Sequence, residues 1–273
     1  MIFKHNKNKT TRLFSSFLQR MVDVEVISTP GTEGEIRKGL LFLNDGQLSD
    51  ALHIRQAINK LHASGRIMPV TVAAIHAGER QSEYGVSGVE DFMGRGEKAE
   101  HYENFITREL LPWMHVSTHG GFSPLHTAFA GCSLGGLSAI DIVSSNPSLF
   151  ATAGVFSGSL WWRSKSYEEG YTDNDRIIFN KLSHASIAAH FRCYLMAGTN
   201  DEKNDRNGNG IIDAVDDTLD MFDLLSSKVK SPEKKLRLSI VDGGRHEPAT
   251  WSEHIPEFLI HAFGIHKSYM HQR

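Results

Sequence analysis

From residue 22 onward, short apolar runs alternate with stretches of helical periodicity, and this constrains the fold more than any other feature of the 273 residues. Runs at 22–28, 38–43, 68–75, 127–130, 154–156, 192–196 and 235–241 are apolar or alternating and bounded by turn residues, as strands are. Between them, 51–64, 98–115, 134–145 and the stretch around Trp251, Ile255, Phe258, Leu259, Ala262 and Phe263 place apolar side chains on one helical face. Strands alternating with helices predict an α/β fold with a mostly parallel sheet and helices on both faces. No repeat or linker interrupts the pattern, so 22–273 reads as one domain. Residues 1–21 carry Lys4, Lys7, Lys9, Arg12 and Arg20 without an acid and read as a basic arm, in which 13–21 is amphipathic enough to dock on the body. The Gly- and charge-rich stretch 77–97 is predicted as a long loop.

Composition narrows the function classes. With 29 Lys and Arg against 32 Asp and Glu, the formal charge of −3 argues against a polyanion binder, so no nucleic acid is expected as partner. No stretch is long and apolar enough to predict a membrane span. The two cysteines, Cys132 and Cys193, cannot build a disulfide framework and suit a reducing compartment. With no signal-peptide pattern at the start, the expectation is a cytoplasmic protein; an exported one is the alternative. Oligomeric state is not legible.

The stretch Gly131-Cys-Ser133-Leu-Gly135 places G-x-S-x-G between a predicted strand and a predicted helix. A serine on so tight a turn projects its hydroxyl above the sheet, and glycines at 131 and 135 let helix and strand approach. The helix that starts there aims its first amides and dipole at developing negative charge. A nucleophilic serine needs a base and a group that orients the base. His246 follows the last predicted strand directly, and Asp201 follows the strand before it, with adjacent Glu202 as the alternative acid. For the oxyanion, the Leu134 amide follows the nucleophile, and the turn Asn44-Asp45-Gly46-Gln47 offers the Gln47 amide. The expected chemistry is acyl transfer through a Ser133–His246–Asp201 triad, with activity rising through the histidine titration, about pH 6.5 if unperturbed. No organic cofactor is required.

Together these segments resemble the esterase D family of α/β-hydrolases, in particular its enterochelin (siderophore) esterase-like branch. The resemblance is carried by Leu43-Asn-Asp-Gly-Gln47, Glu79-Arg80-x-x-Glu83-Tyr84, Glu109-Leu-Leu-Pro112 and Gly131 to Ala139. It continues in Ser157-Gly-Ser-Leu-Trp-Trp162, Gly198-Thr-Asn-Asp201 and Gly243-Gly-Arg-His246 ahead of Trp251. It implies the α/β-hydrolase fold and a serine hydrolase that cleaves carboxylic esters of small molecules, such as a siderophore-type ester. Arg80 would then pair with an anionic substrate, the alternative being a structural ion pair with Glu79 or Glu83. Trp161 and Trp162 are candidate walls of an aromatic pocket, or else core. Two other readings stand beside this one: a carbohydrate-linked esterase, feruloyl or acetyl, and a non-catalytic calcium-dependent binding module.

Asp201 and His246 lie 45 residues apart, more than the resemblance implies, and the extra segment is Asp205-Arg-Asn207-Gly-Asn209-Gly-Ile211-Ile-Asp213-Ala-Val-Asp216. Its spacing matches an EF-hand-type calcium loop: oxygen ligands from Asp205, Asn207, Asn209, Asp213 and Asp216, the Ile211 carbonyl, and glycine at the sixth position. A helix is predicted over 218–227. Calcium is therefore expected as a structural ion in the inserted loop 205–216.

Overall fold

The computed structural model describes residues 9–32, 35, 37–118 and 121–265. Eight strands, β1 (Lys9–Ser15), β2 (Arg20–Ser28), β3 (Gly39–Leu43), β4 (Val70–Ile75), β5 (Thr127–Cys132), β6 (Thr152–Phe156), β7 (Arg192–Asn200) and β8 (Leu236–Arg245), form one sheet. Its order is β1-β2-β4-β3-β5-β6-β7-β8. β1 and β2 pair antiparallel with their neighbours, and every pair from β4/β3 to β7/β8 is parallel. β3, β4, β5 and β6 are buried along their whole length, as the continuous apolar runs require of strands covered on both faces.

The helices are α1 (Ile54–Ala63), the single turn α2 (Arg80–Glu83), α3 (Ala99–Asn104), α4 (Leu111–Ser117), α5 (Leu134–Ser145), α6 (Ile177–His184), α7 (Asp213–Lys228), α8 (Pro232–Lys235) and α9 (Pro248–Phe263). The predicted helix over 98–115 is α3 and α4 joined by a π-turn at Phe105–Leu110. α1 and α9 cover one face, where Ile54, Ile58, Phe258 and Phe263 pack on Leu41, Leu43, Phe156 and Tyr194. The other face holds Tyr102, Phe105, Leu137, Ile140 and Met221 against Phe42 and Phe129. Among the described residues no helix is long and apolar enough to cross a membrane.

The amino-terminal segment differs from the expected arm. Residues 9–15 extend the sheet as β1, and the turn that follows is fastened to the body. There Leu18 is buried, the Ser16 amide donates to the Glu109 carboxylate at 2.9 Å, and Arg20 grips Glu83 through two bonds of 2.6 Å. The rest of the arm, residues 1–8, lies outside the described residues. Strand pairing satisfies backbone groups irrespective of side-chain charge, which is how a basic segment becomes an edge strand.

Gly154 shows how closely α9 sits on the sheet: a Cβ there would lie 2.5 Å from Cε2 of Phe258 and 2.9 Å from the Cβ of Ala130. Gly154→Ala is expected to cost about 1–3 kcal/mol by overpacking. Gly121→Ala, where a Cβ meets nothing within 4 Å, is expected to be neutral. Melting of the two variants side by side checks this; equal melting temperatures would contradict it.

Candidate active site

β5 delivers Ser133 to the carboxyl-terminal rim of the sheet. Its backbone takes φ 56° and ψ −125°, a conformation that costs a non-glycine residue about 1–3 kcal/mol. Four hydrogen bonds hold it: its amide donates to the Phe156 carbonyl at 2.9 Å, and its carbonyl accepts from Gly136, Leu137 and Ser159 at 3.0, 3.2 and 3.1 Å. A Cβ on Gly131 would lie 2.4 Å from the Gly135 backbone, so only glycine permits the turn. Leu134 opens α5, so its N–H has no acceptor within the helix.

Facing this turn is the loop after β3. Asp45 sits at φ 55°, and Gly46 follows so close to Ala74 that a Cβ would lie 2.5 Å from its carbonyl carbon. Asn44 links the two loops: its Nδ2 donates to the Gly135 carbonyl at 2.8 Å, and its Oδ1 accepts from the Tyr102 hydroxyl at 2.5 Å. Arg80 completes the brace with a bidentate bond to Asp45 (2.7 and 3.1 Å) and a third to the Cys132 carbonyl at 3.1 Å. Its ion-pair partner is thus Asp45 and neither Glu79 nor Glu83, which pair with Lys98 and Arg20.

β7 and β8 bring up the remaining groups. A Cβ on Gly198 would lie 2.4 Å from the Gly244 carbonyl oxygen, so the bare backbones let the loops carrying Asp201 and His246 lie together. Ser133, Asp201, Glu202 and His246 line one cavity of about 230 Å³ together with Ser157, Ser159 and Trp161. On the other side of Ser133 and His246, a second cavity of about 350 Å³ is bordered by Asp45, Gln47, Arg80 and Trp251. Asp201 Oδ2 accepts from the Gly198 amide at 3.0 Å, while its Oδ1 is buried with no hydrogen-bond partner among the described residues. Burial pushes the His246 imidazole below its ordinary pKa; the Asp201 charge pulls it back up, and Arg80 adds a smaller downward push. At neutral pH it is therefore an unprotonated base. Burial pushes the Glu202 carboxyl up.

Three contacts were not read from sequence. Ser159 Oγ lies 3.3 Å from Ser133 Oγ, the Trp251 indole donates to Ser157 Oγ at 2.9 Å, and the Trp251 ring meets His246 edge-on at 5.1 Å between centroids. The quoted Ser157-Gly-Ser and Trp251 segments carried the signal without a role. The two tryptophans part company. Trp161 lines the cavity at Ser133 and a further one of about 580 Å³ with Arg163, Tyr167, Glu202 and Arg206. Trp162 is fully buried, with Gly85 and Gly96 close to its ring.

In the inserted segment, Asp205 accepts from the amides of Gly208, Asn209 and Gly210. Asn207 and Asn209 both donate to Asp216 Oδ2, at 3.0 and 2.8 Å, and the Ile211 amide donates to Asn209 Oδ1 at 2.7 Å. Asp213 turns away: it accepts from the Arg206 amide at 2.9 Å and pairs with its guanidinium at 3.3 Å. The following helix, α7, starts at Asp213, ahead of the expected residue 218. Among the described residues no three His, Cys, Asp or Glu side chains gather as a metal-holding group; the loop instead gathers the Asp216 carboxylate with the side-chain amides of Asn207 and Asn209.

The sheet, its helices on both faces and the serine turn at the rim define an α/β-hydrolase fold. The family described as "Putative esterase" matches residues 15–262, and the chain belongs to that esterase family. Among solved structures, it is similar to the enterobactin esterase of Shigella flexneri, with TM-score 0.74 and 20% identity over 94% of this chain. It spans 59% of that protein's length. An IroE-like serine hydrolase from Shewanella oneidensis gives TM-score 0.69 at 17% identity, covering 94% of this chain and 80% of the other. A ferulic acid esterase gives 0.67 at 15%, covering 94% and 98%.

The opposite influences of Asp201 and Arg80 on His246 set a pH test. With His246 as the base, kcat/KM is expected to fall on acidification with a midpoint below the ordinary histidine value of about 6.5. Asp201→Asn removes the upward influence and is expected to move that limb to lower pH. Arg80→Gln removes a downward one and is expected to move it up. Profiles that coincide for all three proteins would contradict the assignment.

Proposed function

We propose that the protein hydrolyses carboxylic esters by a two-step acyl transfer at Ser133. The observation that carries this reading is that a strained serine at the start of α5 shares one cavity with an unprotonated histidine and a carboxylate. His246 takes the proton as Ser133 Oγ attacks the ester carbonyl. The amides of Leu134 and Gln47 then face the oxyanion, where loss of one donor typically costs about 10²–10³ in rate. Asp201 is the orienting acid: its buried Oδ1 lacks a partner among the described residues and its charge acts on His246, whereas Glu202 accepts from Asn204. Water activated by the same imidazole releases the acid. Arg80 works as a brace, keeping Asp45 and so the Gln47 turn against Cys132.

For the substrate, the resemblance to an enterobactin esterase favours a siderophore-type ester, with the cavity beyond Trp161 taking the body of the molecule. A carbohydrate-linked ester is the second reading, favoured by the ferulic acid esterase likeness and by the aromatic rings of Trp161 and Tyr167 among polar side chains. Parallel assays with a trilactone and a feruloyl sugar ester separate the two. The buried thiols of Cys132 and Cys193 agree with a cytoplasmic setting.

Hydrolysis of a p-nitrophenyl ester is expected to fall on the order of 10⁵-fold or more in Ser133→Ala. Undiminished turnover would remove the serine mechanism. Absence of turnover in the native protein would favour a binding module.

We assign calcium to the loop 205–216, held by Asp205, Asn207, Asn209, Asp216 and the Ile211 carbonyl. Its oxygen donors are the hard kind that this ion takes. Asp213, committed to Arg206, is not a ligand in this reading. The ion would pin the segment between Asp201 and α7 and takes no part in the reaction. Chelation is expected to lower both melting temperature and turnover; unchanged values for both would withdraw the assignment.

A further inference from the structure

At the opposite end of the sheet from Ser133, a cavity of about 520 Å³ opens between the starts of β5 and β7 and the end of α9. Five basic side chains line it, Arg37, His126, His190, Arg192 and His261, and among the described residues no Asp or Glu does. The remaining walls include Met68, Leu125 and Ile265, of which Leu125 is 51% and Ile265 44% exposed.

Local bonds explain where these groups sit without explaining their charge. Arg192 donates to the carbonyls of His261, Ala262 and Leu125 at 2.9, 3.0 and 3.3 Å, capping the end of α9. Carbonyl dipoles do not neutralise a guanidinium, and no carboxylate pairs with Arg192 among the described residues. Arg37, exposed at the rim, points its Nε at His126 Nε2 across 3.4 Å. His190 Nε2 lies 2.8 Å from the Pro147 carbonyl. His261 bonds the Lys235 backbone, yet its Nε2 is buried with no hydrogen-bond partner among the described residues. An unpaired buried polar atom costs about 1–3 kcal/mol. The positive field is also visible in the imidazoles. Burial, with Arg192 and Arg237, pushes His261 down to about 4, and burial, with Arg37 and Arg192, lowers His126.

We propose that this cavity binds an organic carboxylate, with the head group at Arg37 and Arg192 and an apolar body on Met68, Leu125 and Ile265. A planar carboxylate matches guanidinium geometry and supplies the missing counter-charge. The apolar walls select an acid that carries hydrocarbon over a bare inorganic anion. The site lies away from Ser133, so it is independent of the ester chemistry.

Calorimetric titration of the full chain at neutral pH tests this, with octanoate as probe and inorganic phosphate and octylamine in parallel. Octanoate is expected to bind one to one. Arg37→Gln and Leu125→Glu are each expected to weaken it about tenfold, the first by removing a charged donor and the second by placing a like charge at the rim. Both substitutions are at exposed positions, so folding is retained, and melting curves check it. Three results would overturn the proposal: no octanoate binding, binding that survives both variants and so lies elsewhere, or octylamine binding as tightly. Phosphate binding as tightly as octanoate would overturn the apolar half, leaving a plain anion site.

Discussion

The whole rim is built around one backbone constraint, the forced turn at Ser133. A serine at φ 56° is stable only if its surroundings over-determine it, and here they do. β6 takes its amide, α5 and the Ser157–Trp162 segment share its carbonyl, and Gly131 and Gly135 leave no room for a relaxed alternative. The strain places the hydroxyl where a helix begins, beside an unspent amide. Cores and helices on both faces serve to hold this turn still.

Around it, polar braces connect loops that are distant in sequence. Arg80 ties the turn after β3 to the strand before Ser133, and Asn44 ties the same turn to Gly135 while Tyr102 holds Asn44 from below. Charge-assisted and bidentate bonds of this sort fix orientation as well as distance, which the proposed oxyanion hole would need. Below α6, Arg176 and Arg206 converge on the buried Asp217 at 2.6 and 2.5 Å, anchoring the inserted loop to the body through α7. From the insertion, Ala214 reaches the cavity at Ser133, and Asp205, Arg206 and Asp213 line the cavity beyond Trp161.

Much of this was legible in the sequence because it is local. Apolar runs marked the buried strands, the spacing around Trp251 and Phe258 marked α9, and glycines on either side of Ser133 marked the turn. Asp201 and His246 could be placed because each follows a strand directly. What escaped depends on pairing across the chain. Nothing in residues 9–15 announces that they will lie beside 20–26, so β1 read as part of an arm. Arg80 has acidic neighbours at 79 and 83, but its partner is 35 residues away. Trp161 and Trp162 are adjacent in sequence, yet Trp161 lines the cavity while Trp162 is buried in the core, which no linear pattern distinguishes. The ligand potential of a calcium-like loop is local, while the turning of Asp213 toward Arg206 is not.

The most direct test of a reactive serine at the rim is to treat the native protein with a fluorophosphonate and locate the adduct by peptide mass. The geometry predicts one adduct, on Ser133, formed quickly by the folded protein and not by the unfolded chain. A folded protein that stays unlabelled, or that carries the adduct on Ser157, Ser159 or any other residue, would contradict it.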